Sequence, residues 1–365
     1  MTNPKVLLVG DLNEFSKGYA EARAMRVLGL DVKALSHTII DGAERGHSEF
    51  SLGYRIAHKL GYELDTVEIN RRLLEAAREF EPDIAWIEKG NMIRPRTLQA
   101  LKEFRPGLLL AAYSDDDMYL SHNRSRYYTA GLKFYDCVFT TKAANAGPAE
   151  LESLGARHVV LVDKAFDPRQ HHPVSLSESD RHVFACDVGF IGSYEDERGA
   201  VLEFLAANGV SVRVWGNGWQ AMPSPHPNLR LELASVVNTE AAPNYTKCIS
   251  ATRINLGFLR KLNRDLHSDR SVEIPACGGF MLAERTTDHL RLFEEGKEAA
   301  YFDSPDELLA KVRHYLANDD ERSSIAAAGL QRCRSGGYDL DTRAQRMLSI
   351  LLDTPLTTKA RREPR

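Results

Sequence analysis

The sequence predicts an α/β protein of two doubly wound parallel-sheet domains facing across a cleft. Three observations predict it. Short apolar runs alternate with helical patterns almost throughout, the pattern stops and restarts once, and 365 residues are too many for one ordinary core. Strand–helix alternation implies crossover connections, and these give a parallel sheet covered on both faces.

In the first half, Val6-Leu7-Leu8-Val9 is a continuous apolar run of strand length, the mark of a strand buried on both faces. Similar runs place strands at 32–36, 84–87, 108–113, 138–141 and 159–162. Amphipathic patterns place helices at 20–28, 71–80, 95–104 and 146–154. After residue 186 the pattern restarts. Strands fit 188–191, 212–215, 254–258, 280–283 and 300–302. Helices fit 197–207, 240–248, 290–294, 305–317 and 321–334. Between the halves, residues 164–186 are polar and carry Pro168 and Pro173, so they read as a linker. A last amphipathic helix fits 341–352, and the basic tail 357–365 reads as disordered. The expected division is 1–165, linker 166–186, 187–338, a crossover helix at 339–353 on the first domain, and the tail 354–365.

Composition narrows the class. Apolar content of 43% and charged content of 27% are those of a soluble globular protein, and a net charge of −4 argues against a nucleic-acid partner. No run approaches a membrane span, and no signal peptide is visible before the first strand. Five scattered cysteines without a Cys-x-x-Cys pair read as reduced thiols of a cytoplasmic protein, with disulfides and zinc disfavoured.

The chemistry concentrates in the second half. Gly192 and Ser193 follow a strand and precede a helix start, where backbone N–H groups favour an anion. Arg198 falls in the first turn, either reaching a diphosphate or simply solvated. The segment is no Gly-x-Gly-x-x-Gly fingerprint, so nicotinamide is disfavoured. Arg260, Lys261 and Arg264 leave the end of the 254–258 strand, and such a cation set suits a diphosphate. Asp265 and Glu273 stand eight residues apart, joined by Ser268, Arg270 and Ser271. Ser271 is placed as the N-cap of a short helix that Gly278-Gly279 ends. A first-turn Glu273 is electrostatically favoured there and suits a ribose diol. Trp215-Gly216-Asn217-Gly218-Trp219 either frames a nucleotide pocket or belongs to the core.

The Asp265–Glu273 spacing resembles the Glu-x7-Glu motif of retaining glycosyltransferases of family 4, with Asp in place of the first Glu. More closely, residues 188–198, 256–284 and 292–299 resemble the glycosyltransferase-like proteins related to the spore maturation protein CgeB. Residues 113–117, 135–154 and 171–173 share the likeness, which spans most of the chain between 4 and 352. The resemblance implies a GT-B enzyme with two Rossmann-like domains. The C-terminal one would bind a nucleotide-diphosphate sugar and the N-terminal one the acceptor. By position, Glu273 would contact the ribose, Asp265 the donor sugar, and Arg198 and Lys261 the leaving diphosphate. Retention of configuration follows from the resemblance alone. No cofactor and no metal are expected, because fixed cations can stabilise the departing diphosphate.

In the first half, Ser114-Asp115-Asp116-Asp117 follows a strand, as do Gly10-Asp11-Leu12-Asn13 and Glu88-Lys89-Gly90-Asn91. Asp115 and Asp117 are candidates for acceptor recognition or general-base work, against an Asp-x-Asp metal site or plain turn capping. Gly10, Asp11, Asn13, Lys89, His122 and Asn123 complete the acceptor side. His171-His172 lacks metal-ligand spacing and reads as linker. The expected function is hexosyl or related glycosyl transfer from a nucleotide sugar to a glycan, protein or small-molecule hydroxyl. The alternatives are a non-catalytic nucleotide- or glycan-binding protein on the same scaffold and a nucleotide-sugar epimerase.

Overall fold

The structure is a computed structural model describing residues 3–38, 52–239 and 242–354. It divides into two compact units, Met1–Asp163 with Leu340–Arg365, and Lys164–Asp339.

The first unit runs β1 (Lys5–Gly10), α1 (Lys17–Val27), β2 (Asp31–Ser36), α2 (Leu52–Lys59), α3 (Ile69–Phe80), β3 (Ile84–Glu88), α4 (Pro95–Phe104), β4 (Leu109–Ser114), α5 (Arg126–Gly131), β5 (Cys137–Thr140) and β6 (Val159–Leu161). Its six strands are all parallel, in the order β2-β1-β3-β4-β5-β6. Val6, Leu7, Leu8 and Val9 are wholly buried, as helix cover on both faces requires. Ser16 caps α1 by accepting from Tyr19 N–H, and Pro95 opens α4, where its missing N–H costs nothing.

The second unit runs α6 (Glu178–Phe184), β7 (Cys186–Ile191), α7 (Asp196–Ala207), β8 (Val212–Trp215), β9 (Leu229–Glu232), α8 (Asn244–Ala251), β10 (Thr252–Gly257), α9 (Arg270–Ala276), β11 (Met281–Glu284), α10 (Thr287–Leu292), β12 (Ala300–Phe302), α11 (Pro305–Ala317) and α12 (Asp319–Ser335). These strands are also all parallel, in the order β12-β11-β10-β7-β8-β9. The expected α/β class of two doubly wound parallel sheets is therefore correct. A final helix, α13 (Leu340–Asp353), packs on the first unit, with Met347, Leu348 and Leu351 in a core shared with Val6, Leu8 and Trp86.

Each strand order reverses direction once. In the first sheet β2 lies to one side of β1 and β3 to the other. In the second, β8 lies to one side of β7 and β10 to the other. Loops leaving the strands on either side of such a switch point diverge and open a crevice beyond the carboxyl ends. The loops concerned are those after β1 and β3, and those after β7 and β10.

Several expected elements differ. Residues 146–154 form no α-helix: a 3-10 turn at Ala144–Ala146 gives way to irregular turns at Gly147 and Pro148. The expected linker 166–186 clusters with the second unit, pairs Phe166 with Asp339, and contains α6 with a Ser177–Asp180 capping box. Helix α8 starts at Asn244, after Pro243, and residues 240–241 of the predicted helix lie outside the described residues. Strand β9 and helices α2, α5 and α6 are short or weakly patterned and escape a periodicity reading. The tail 355–365 lies outside the described residues.

Candidate functional site

The crevice at the switch point of the second sheet is built by the loops after β7 and β10 and by α9. Gly192 closes β7 and hydrogen-bonds across to β8, its N–H donating to Trp215 O (2.9 Å) and its carbonyl accepting Trp219 Nε1 (2.8 Å). Gly216 makes this approach possible: at φ +153°, any Cβ there would lie 2.1 Å from Gly192 O. Ser193 is exposed at the turn.

Arg198, in the first turn of α7, reaches back along that turn. Its Nη1 donates to Ser193 O (3.0 Å) and lies 3.3 Å from Glu195. The guanidinium sits over the Phe190 ring, mostly out of water, and its Nε–H is buried without a partner. Burial lowers its pKa, and the neighbouring cations Arg270 and Arg260 act in the same direction against Glu195 and Glu284. A desolvated guanidinium crowded by like charge, with an unpaired donor, gains from an anion.

The other predicted cations gather here. Arg260 Nε lies 3.4 Å from Glu195, and the exposed Lys261 pairs with Glu197 at 2.7 Å. Arg264 takes a left-handed conformation (φ +47°) that turns the chain toward Asp265, whose carboxylate accepts from Asn263 Nδ2 (3.3 Å). Arg270 Nε donates to Ile191 O (3.1 Å), fastening α9 to the end of β7. Burial acts to lower the Arg270 pKa, but Tyr245, Glu273, Asp269 and Asp265 outweigh it and raise the value. The two motif acids, Asp265 and Glu273, thus act on one guanidinium.

Glu273 accepts from Tyr245 O–H at 2.5 Å and lies 3.7 Å from His171 Nε2, whose ring meets Tyr245 edge-on. Ser271 is inside α9 and is no N-cap. Its buried hydroxyl instead accepts Ser268 N–H (2.9 Å) and bonds His289 Nε2 (2.7 Å). A second buried histidine, His267, accepts Lys164 N–H at Nε2 and so presents Nδ1–H to Asp288 (2.7 Å). These two histidines fix both ends of the Ser268–Ser271 segment. Glu284, whose pKa burial raises, accepts Leu259 N–H (2.8 Å) and steadies the start of the cationic loop.

Beyond β8 and β9, Trp215, Glu232, Val236 and Asn244 help to line a cavity of about 310 Å³. Trp219 is wholly buried and belongs to the core.

In the first unit, the candidates lie on the loops after β1, β3 and β4. Asp11 Oδ1 accepts Asn13 N–H (3.0 Å), Asn13 Nδ2 (2.7 Å) and Thr38 Oγ1 (2.9 Å), so Asn13 shapes the loop. Asp115 takes Tyr113 O–H and pairs with Lys17, whereas Asp116 pairs with Lys89 (2.7 Å). Asp117 is fully buried and accepts Tyr119 N–H (3.2 Å) and Asn145 Nδ2 (2.7 Å). Asn123 Nδ2 donates to Asp117 O (3.1 Å), and His122 is exposed. The three successive aspartates therefore face three different partners.

Sequence reasoning gave no site role to Tyr245 or His267, read His171 as linker, and named Glu88 only as part of a loop after a strand. Glu88, an acid closing an otherwise apolar strand, is the one with a readable signal. The rest become neighbours of the site only through folding.

Residues 198–349 match a protein family described as glycosyl transferase-like. No curated protein matches the chain. Among solved structures, the chain is similar to a sucrose-phosphate synthase from Thermosynechococcus elongatus (TM-score 0.66, 9% identity, 95% of this chain and 98% of that one). It is similar to HepE of Anabaena in complex with UDP-glucose (TM-score 0.62, 12% identity, 96% and 100%). It is also similar to a putative UDP-N-acetylglucosamine 2-epimerase from Listeria monocytogenes (TM-score 0.55, 11% identity, 96% of each chain). The fold is thus that of these proteins, the GT-B architecture. Among the described residues, no helix is long and apolar enough to cross a membrane.

Proposed function

We propose that the protein is a glycosyltransferase that moves a sugar from a nucleotide-diphosphate donor to an acceptor hydroxyl, acting in the cytoplasm. The carrying observation is the convergence of Arg198, Arg260, Lys261 and Arg270 at the switch point of the second sheet, beside Glu273 and Asp265. Arg198 is the strongest element, since its buried Nε–H has no partner. In this reading Glu273, held by Tyr245, takes the ribose, and Asp265 takes donor-sugar hydroxyls. Gly192, Ser193, Arg264, Ser268 and Ser271 form the backbone frame, and the cavity beside Trp215 receives the base. The family match over 198–349 and the UDP-glucose bound by HepE support this placement.

The first unit then carries the acceptor through Gly10, Asp11, Lys89 and Asp115. Asn13, Asp117 and Asn123 hold its loops in shape. The glycosyl transition state places developing charge on the departing diphosphate, and the clustered cations stabilise it there. The proposal needs no metal, and activity surviving EDTA is the expected result. Retention rests on the resemblance of the Asp265–Glu273 motif.

The test is a panel of nucleotide sugars, UDP-glucose included, followed by thermal shift and by release of nucleoside diphosphate. A donor at one hundred times its dissociation constant adds about 2.7 kcal/mol of stability. Lys261→Ala and Glu273→Ala should abolish transfer while the fold persists. Full activity in both variants would remove the site assignment. An isomerised sugar formed without any acceptor would favour the epimerase instead.

A further inference from the structure

The second unit has a cavity of about 590 Å³ at the end of its sheet away from the switch-point crevice. Ala185, Thr252 and Phe280 line it, and they stand at or just before the first residues of β7, β10 and β11. Strand β10 runs six residues, Thr252–Gly257, and at about 3.3 Å per residue it sets the cavity roughly 16 Å from the crevice. The volume is that of a small-molecule pocket, commonly about 300–1,000 Å³.

The lining divides by chemistry. Val174, Phe280, Ala326 and Leu330 supply apolar wall. Arg181, Arg253 and Arg322 supply three guanidiniums, and no acid is among the described lining residues. Arg253 is committed to Asp187 (2.9 Å), Leu316 O (2.9 Å) and Asp319 (2.7 Å). Arg322 is only 8% exposed. Its Nη1 donates to Tyr315 O (2.5 Å) and Asp319 (2.6 Å), while its Nε and Nη2 have no partner among the described residues. Arg181, exposed in the last turn of α6, has no side-chain partner among them either. Three cations thus meet two acids, Asp187 and Asp319, and one positive charge remains.

The open donors select the kind of ligand. Nε–H and Nη2–H of one guanidinium point the same way and form a fork that matches the two oxygens of a carboxylate or phosphate. A guanidinium nine-tenths out of water with that fork unfilled gains from an oxyanion. Helices α6, α8 and α9 all finish at this end, and their carbonyls disfavour an anion. Those carbonyls are occupied, however. Ala185 N–H takes Arg181 O (2.9 Å), Thr252 N–H takes Ile249 O, and Gly278 and Gly279 N–H return to Pro275 O (2.9 Å) and Ile274 O (3.0 Å). Helix ends carry partial charges that act within one turn, whereas the guanidiniums carry full charges on the cavity wall, so the guanidiniums set the sign.

We propose that this cavity binds a small organic oxyanion, a phosphate or carboxylate on an apolar body. The oxyanion sits on the Arg322 Nε–Nη2 fork with Arg181 as its second cation, and the body lies on Val174, Phe280 and Leu330. The site is separate from the switch-point crevice and stands whether or not the protein transfers sugar.

Gly278 lines the cavity and is the one glycine that follows a cysteine. The full chain carrying 13C-carbonyl cysteine and 15N-glycine therefore gives its amide as a single assigned signal. The probes are phenyl phosphate, benzoate, inorganic phosphate and benzylamine in its ammonium form. The expected result is a saturable shift of Gly278 with phenyl phosphate or benzoate, the tighter of the two naming the oxyanion. Inorganic phosphate lacks the apolar body and should bind roughly tenfold or more weakly, and benzylamine should leave the signal unmoved. Arg181→Ala, at an exposed position, should weaken the organic anion about tenfold, the scale of one lost charge-assisted hydrogen bond. Ala327→Trp, which fills the cavity from an exposed position of α12, should abolish the shift. Arg198→Gln, in the separate crevice, should leave it unchanged.

A Gly278 signal unmoved by both organic anions up to their solubility limits overturns the proposal, as does a benzylamine shift of equal size. Inorganic phosphate that binds as tightly as the organic anions overturns it, because no apolar body is then read. Wild-type affinity in Arg181→Ala overturns it too, and this surface variant keeps the test decisive where Ala327→Trp fails to fold. Loss of the shift in Arg198→Gln would put the anion in the crevice and overturn the separate site.

Discussion

Gly216→Ala is the sharpest perturbation of the crevice at the switch point of the second sheet. A Cβ at this position would lie 2.1 Å from Gly192 O and 2.7 Å from its carbonyl carbon. Non-bonded C···O contacts begin near about 3.3 Å, so the Gly192 turn must retreat by roughly 1.2 Å. The φ of +153° adds backbone strain of about 1–3 kcal/mol for any residue with a side chain. Retreat of the Gly192 carbonyl also strips Trp219 Nε1–H of its partner inside the core, worth about 1–3 kcal/mol. The sum is about 2–6 kcal/mol, or a fall in Tm of roughly 4–24 °C at about 2–4 °C per kcal/mol for a unit of this size. Displacing the turn by about 1 Å should also cost on the order of a hundredfold in transfer rate.

Scanning fluorimetry reads the first effect and donor turnover the second. Gly209→Ala is the control, because Gly209 also has positive φ (+83°) but nothing lies within 4 Å of its Cβ position. It carries the strain without the clash. A Gly216→Ala protein no less stable than Gly209→Ala, with an unchanged transfer rate, would refute the reasoning.

Arg343→Leu removes the partner of the buried Glu21 and one of the cations acting on Glu88, and should cost about 3–5 kcal/mol. The double variant Glu21→Leu/Arg343→Leu should recover much of that in denaturant titrations, and no recovery would show that the pair's charge is not the cause. Glu88 gives a pH signature of defined sign. Its folded pKa is raised above 4.5, so the folded state keeps a proton that the unfolded chain releases. Wild-type stability should therefore fall as pH rises from about 4.5 through the folded pKa, and Glu88→Gln should lack that fall. Tm curves of the two proteins that run parallel from about pH 5 to pH 8 would contradict it.

The fold class was readable because a buried parallel strand needs an unbroken apolar run, as in Val6–Val9, and a crossover helix needs a stripe. Both are local patterns. Elements without such a pattern were not readable: β9 (Leu-Arg-Leu-Glu) is a short edge strand, and α6 is held by its capping box with no buried residue. The cations and acids from Arg198 to Glu273 were legible as residue types at suggestive places. The identity of their partners was not.

By itself the sequence determined the two sheets, their polarity along the chain and which loops leave their carboxyl ends, since these follow from periodicity and the handedness of crossovers. Only the tertiary structure decided which loops flank a switch point, because strand order depends on long-range pairing that no local pattern encodes. It placed His171 and Tyr245 on Glu273, turned Ser271 from a cap into a partner of His289, and sent Asp117 into a buried network away from Asp115. It also left Glu88 unpaired between two glycines, since an unsatisfied group is defined by everything around it.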